Sequence, residues 1–178
     1  MFEITTQQPV KLVNYNPRAE KHGKERKPAA TMRVQVAMPA AVLNLFERGL
    51  YDALYEQVTE GDDLVSTSTR RFKKMAPFSW AFEGKGYTTT VDYGLGGESN
   101  IELDDCTVKD FRITPQENDI VLIDFAINCA PDERESGILY HRIPQEIQIT
   151  VKAPAPQTVG ELFGDEPQEQ EPATAEED

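Results

Sequence analysis

Residues 30–38 read ATMRVQVAM, in which Met32, Val34, Val36 and Met38 alternate with Arg33, Gln35 and Ala37. A period of two puts alternate side chains on opposite faces of an extended chain, so one face of this segment is apolar and the other wet. The pattern returns in YTTTVDY at 87–93, where Tyr87, Thr89, Val91 and Tyr93 share a face, and in the aromatic series Phe78, Trp80 and Phe82. Residues 10–15, 100–103, 107–114, 120–129, 136–140 and 146–151 read as further strands, rich in β-branched and aromatic residues. Turn-forming stretches separate them: GLGG at 94–97, PQEND at 115–119 and APDERESG at 130–137. Gly84-Lys85-Gly86 reads as a hairpin connection, and NPRAEKHGKERKP at 16–28 as a long exposed loop. Only 40–58 departs from period two: Val42, Leu43, Phe46, Leu50 and Leu54 follow Pro39 at three- and four-residue spacings, which predicts one helix. Many short strands with one helix predict a mainly β (α+β) fold, an antiparallel β-sandwich or partly open barrel of about eight strands.

The chain has 178 residues and a formal net charge of −13. Residues 155–178 carry eight acids (Glu161, Asp165, Glu166, Glu169, Glu171, Glu176, Glu177 and Asp178) and no Lys or Arg, which leaves −5 for 1–154. Beyond Phe163 that segment has no large apolar side chain to offset the entropy of ordering it. The expected organisation is a single β-rich domain over 1–154 followed by a disordered acidic tail over 155–178. No window approaches the roughly 18 apolar residues of a membrane span, and the opening MFEITTQQPV lacks a basic, then apolar leader, so the expected location is the cytoplasm.

Signs of catalysis are few, and the expectation is a protein that is not an enzyme and needs no cofactor or metal. The two histidines, His22 and His141, belong to no HExxH pattern, there is no GxSxG, and GLGG lies between strands with no helix after it to receive a phosphate. Glu83-Gly84-Lys85, with Asp62 and Asp63 upstream, has the residue types of a Mg²⁺-dependent nuclease, but the lysine falls between two glycines and the acids in a polar loop. Cys106 and Cys129 have neither CxxC spacing nor histidine company and read as reduced and structural.

Binding chemistry is better represented. Residues 1–33 carry a local charge of +4, and so do residues 70–85. Single-stranded nucleic acid is held by cations that follow its backbone and by rings that stack on its bases. The residues of those types are Arg18, Lys21, Lys24, Arg26, Lys27, Arg70, Arg71, Lys73, Lys74 and Lys85 for phosphates, with Tyr15, Phe72 and Tyr87 for stacking. Phe78, Trp80 and Phe82, sharing one face of a strand, read as core. The rival reading is an inhibitor that occupies a basic groove on another protein, where a net charge of −13 would speed capture.

LVNYNPRAEKHGKERKPAATMRVQVAMPAAVLNLF (12–46), WAFEGKGYTTTVDYGLGG (80–97) and DCTVKDFRITPQE (105–117) together resemble a group of small proteins of tailed bacteriophages and prophages. That resemblance implies a phage setting inside an infected bacterium and supplies no catalytic residue. A β-rich domain with an acidic C-terminal tail is also similar in layout to the single-stranded-DNA-binding proteins of phages, whose tails recruit replication and recombination enzymes. Here the tail ends AEED with Phe163 in its middle, a departure from tails that end in an aromatic or apolar residue. The expected function is single-stranded-DNA binding in replication or recombination. The alternative is a phage-encoded inhibitor of a host defence complex, acting by protein binding or DNA mimicry. Expected partners are single-stranded DNA and replication, recombination or host defence proteins, with pairing of a second copy through an edge strand open to a β-rich domain.

Overall fold

A computed structural model of the chain describes residues 1–22, 25–59 and 66–155. Nine strands appear among them: β1 (Ile4–His22), β2 (Glu25–Pro39), β3 (Tyr55–Thr59), β4 (Ser66–Arg70), β5 (Phe78–Trp80), β6 (Gly84–Asp92), β7 (Ile101–Pro115), β8 (Ile120–Cys129) and β9 (Glu146–Lys152). Two α-helices accompany them, α1 (Leu50–Leu54) and α2 (Glu133–His141), with a 3₁₀ turn at Ala40–Leu45. The fold is mainly β and antiparallel, and its principal sheet closes on itself. β7 pairs with β6 through Ile101–Val108 and with β8 through Thr107–Pro115, so six strands run β1-β2-β8-β7-β6-β9 and back to β1. β5 takes the edge of β7 that β6 has left, pairing Trp80 with Phe111 and Phe78 with Ile113. β3 and β4 form a separate two-stranded ribbon.

Period two explains the barrel interior. Met32, Val34 and Val36 of β2, Ile123, Phe125 and Ile127 of β8, and Ile147, Ile149 and Val151 of β9 are all buried. The rings of Phe2, Phe46, Phe82, Phe111 and Phe125 meet near the middle, most of them edge to face. Gly84 is a close approach: a Cβ there would fall 2.4 Å from Cε2 of Tyr87, a fully buried ring whose hydroxyl donates to the Phe2 carbonyl at 3.1 Å. Gly84→Ala is therefore expected to cost about 1–3 kcal/mol in unfolding free energy by urea titration, and an unchanged midpoint would contradict the packing described.

Several local expectations are corrected. The segment 40–58 is not one helix: the 3₁₀ turn ends before Gly49, which is left-handed (φ 85), and β3 begins at Tyr55. Val42, Leu43 and Leu54 still reach the core, but from separate short turns. Residues 136–140 belong to α2, started by an Asp132 cap: the Asp132 carboxylate accepts from the Glu135 amide while the Glu135 carboxylate accepts from the Asp132 amide. The 16–28 stretch is the far end of the β1–β2 hairpin, laddered as far as His22 opposite Glu25. Gly84-Lys85-Gly86 opens β6 instead of joining β5 to it, because β5 pairs with β7. Residues 100–103 and 107–114 lie in or against one strand, β7, bent where Asp105 and Asp110 adopt positive φ of 50 and 56. The tail from residue 156, and Asp62 and Asp63, lie outside the described residues. No helix among the described residues is long and apolar enough to cross a membrane.

Candidate nucleic-acid interface

Two of the three predicted stacking rings are interior residues. Tyr15 faces inward on β1, 3% exposed, with its hydroxyl 2.7 Å from Ser136 Oγ; Tyr87 is fully buried under Gly84. Burial raises the hydroxyl pKa of both above the usual tyrosine value, and neither ring is open to a base. Phe72 is different. It stands 56% exposed on a turn closed by the Met75 amide donating to the Phe72 carbonyl at 3.0 Å, with Lys73 and Lys74 exposed beside it.

The predicted cations also divide. Arg70 donates to Glu117 Oε1 at 2.7 and 3.0 Å and to the Pro115 carbonyl at 3.3 Å, so it clamps β4 to the β7–β8 turn. Arg71 donates from Nε to the carbonyls of Asp52 and Tyr55, both at 3.0 Å. These two hold the ribbon in place. Arg18 is paired with Glu20 at 2.7 Å and also donates to Thr31, whose hydroxyl donates to Asn128 at 2.8 Å. Lys27 is exposed, opposite Glu20 in the ladder, and Lys85 is 77% exposed with Glu83 at 3.6 Å. Lys24 and the side chains of Lys21 and Arg26 lie outside the described residues.

The two basic segments do not converge. Ala30, near the hairpin end, pairs with Cys129 at one end of β8, whereas Arg70 binds the turn that precedes Ile120 at the other. Nine residue steps of strand separate those ends, about 30 Å. What lies between them joins Arg33, the last cation of the first basic segment, to two cations that charge counting along the chain does not single out. On the outer face of β2-β8-β7, Arg33 and Lys109 both sit opposite Ala126 in the two ladders, and Arg112 sits opposite Asp124. Lys109 and Arg112 make no hydrogen bond or ion pair among the described residues, and Arg33 meets only Asp110, at 3.8 Å. Beside them a groove of about 620 Å³ is lined by Trp80, Phe82, Phe111 and these three cations, with Glu83 and Asp110 at its rim.

Lys109 and Arg112 are three apart in sequence, and strict alternation would send them to opposite faces. The β7–β8 register slips between them, and left-handed Asp110 supplies the extra residue that brings both to the outside. Trp80 and Phe82, expected in the core, are half-buried: they pack against it on one side and line the groove on the other. No group of three or more His, Cys, Asp or Glu among the described residues is placed to hold a metal ion. No family model, curated protein or solved structure matches the chain.

Proposed function

We propose that this chain is a non-enzymatic phage protein that binds single-stranded DNA in replication or recombination, across the outer face of β2-β8-β7. The observation that carries the reading is the row of cations free of structural duties. At the middle of the face Lys109 and Arg112 have no hydrogen-bond or ion-pair partner among the described residues, and Arg33 beside them meets Asp110 at 3.8 Å. Lys27 stands toward one end, and Lys73 and Lys74 with exposed Phe72 toward the other. A face about 30 Å long suits a site of a few nucleotides, at the lower end of the roughly 4–16 covered by small single-strand binders. Exposed cations contribute by displacing counterions from phosphates, and an open strand brings bases within reach of Trp80, Phe82 and Phe72. The phage setting rests on the sequence resemblance.

Salt dependence tests the reading. Four phosphate contacts, by Lys27, Arg33, Lys109 and Arg112, give a logarithmic slope near −2.8, or an affinity loss of about 50-fold between 50 and 200 mM salt. Fluorescence anisotropy of an end-labelled oligothymidylate measures it. Absence of binding at low salt, or affinity indifferent to salt, overturns the proposal.

A further inference from the structure

We infer that the groove beside Trp80 is a subsite for one nucleotide unit, its heterocycle stacked on the indole and its phosphate held by Lys109 and Arg112. The inference rests on the single-strand reading and gives it a defined contact. The Phe82 amide donates to the Trp80 carbonyl at 2.9 Å, a three-residue turn that sets the two rings beside one groove. Both are braced from behind. Trp80 meets Phe46 at 6.4 Å between centroids with planes 69° apart, and Phe82 meets Phe111 at 5.5 Å and 70°. Rings fixed in this way lose little freedom when a base covers them, which is what makes a platform tight. The indole N–H of Trp80 makes no hydrogen bond among the described residues and is left for a base carbonyl or a phosphate oxygen.

The facing wall is built for an anion. The β7 bulge presents Lys109 and Arg112 together, and neither has a partner among the described residues. The two acids at the rim are each offset by a cation: Glu83 lies 3.6 Å from Lys85 and Asp110 lies 3.8 Å from Arg33. Asp124, beside Arg112 in the ladder, accepts from Gln35 at 2.9 Å. A volume of about 620 Å³, apolar on one side and cationic on the other, matches a flat ring carrying a negative charge. A free mononucleotide and a nucleotide within a strand share that chemistry, and the position of the groove midway along the proposed path favours the strand.

Trp80 is the only tryptophan, so its emission reports the groove directly. Three probes are added to the full chain: an oligothymidylate, an oligomer of the same length built of abasic tetrahydrofuran units, and thymidine monophosphate. The expected result is quenching by the oligothymidylate and none by the abasic oligomer, which binds at least about 5-fold more weakly by anisotropy, the least that one stacked base is worth. Trp80→Leu is expected to remove the largest share of the difference between the oligomers, leaving only what Phe72 and Phe82 supply, and Trp80→Phe to keep most of it. Lys109→Gln with Arg112→Gln, two surface changes, is expected to weaken both oligomers while a saturating oligothymidylate still quenches. Tight binding of the oligothymidylate with unchanged emission, or equal affinity for the two oligomers, overturns the subsite and leaves the single-strand reading standing. Quenching by thymidine monophosphate with neither oligomer bound keeps the subsite and overturns the strand. No response to any probe overturns both.

Discussion

Phe111→Ala is expected to lower the unfolding free energy by about 3–5 kcal/mol, the range for deleting a large buried ring. The Phe111 ring stacks on Phe125 at 5.2 Å with planes 8° apart. It is also met by Phe2 at 5.0 Å, Phe46 at 5.2 Å and Phe82 at 5.5 Å, all near 70°. Four rings from four separate segments thus converge on it, and no single one can move to fill the space it would leave. The residue also lies where β7 pairs with β5, opposite Trp80, and the β7 bulge is its immediate neighbour. The variant should therefore lose oligonucleotide affinity as well as stability, because the support behind Phe82 goes with the ring. Urea denaturation followed by circular dichroism checks the first effect, with Ile120→Ala, a change at a side chain 41% exposed, as the control expected to shift little. A loss below about 1 kcal/mol would contradict a closed core centred on Phe111.

The strands of this fold are legible where alternation meets burial. Met32, Val34 and Val36 announce β2, and Ile123, Phe125 and Ile127 announce β8, because residues 30–38 and 121–129 each carry one unbroken apolar face. Closure of the barrel is not legible. It depends on β7 leaving β6 near Val108 and continuing along β8, and the pairing of Ile101 with Val91 or of Pro115 with Val121 leaves no mark in local sequence. The 40–58 segment shows how spacing alone misleads. Val42, Leu43 and Leu54 are buried as a helix would bury them, yet Gly49 turns the chain left-handed between them, and Tyr55 starts a strand anchored by its hydroxyl to the carbonyls of Gln116 and Ile120 at 3.0 and 2.6 Å. At 132–135 the signal was present: Asp at the cap and Glu three residues on is a helix start, and it outweighs the β-like look of Ile138 to Tyr140.

The candidate site is less legible than the fold because availability is a tertiary property. Arg70, Arg71, Lys73 and Lys74 are neighbours of one type in sequence. The Glu117 carboxylate and the carbonyls of Pro115, Asp52 and Tyr55 bind the first two to the fold, whereas the last two make no hydrogen bond or ion pair among the described residues. Tyr15 and Tyr87 have polar flanks. Period two turns Tyr87 inward with Thr89 and Val91 on the same face, whereas Tyr15 joins Val10 and Leu12 inside only because the β1 register slips between Leu12 and Asn14, which no local pattern marks. Lys109 and Arg112 are concealed by the bulge, since nothing in KDFR marks Asp110 as left-handed. Trp80 belongs to the core on one side and to the groove on the other, a division that hydrophobicity cannot express.

Above pH 9 the protein is expected to lose stability steeply, and the two thiols account for much of the loss. Cys106 and Cys129 are free and buried, and burial pushes their pKa values from an ordinary 9.0 to about 11 and about 12. The register that pairs Thr107 with Asn128 makes Cys106 and Cys129 the next residues along the two strands, so an anion on one further disfavours an anion on the other. In the unfolded chain both thiols ionise near pH 9, whereas in the barrel they stay protonated until higher pH. The stability this represents is complete below pH 9 and is lost as pH rises through about 11 and then about 12. At the alkaline limit the differences correspond to about 3 kcal/mol for Cys106 and about 4 kcal/mol for Cys129. The hydroxyls of Tyr15, Tyr55 and Tyr87, raised by burial from 10.0, act in the same direction at slightly higher pH. Urea midpoints at pH 7, 9 and 10.5 should therefore be flat over the first interval and fall over the second. Cys106→Val with Cys129→Val should flatten part of that fall, because the variant keeps apolar volume and has no thiol to ionise. A midpoint unchanged to pH 10.5, or rapid reaction of the native thiols with a disulfide reagent at pH 8, would contradict the buried pair.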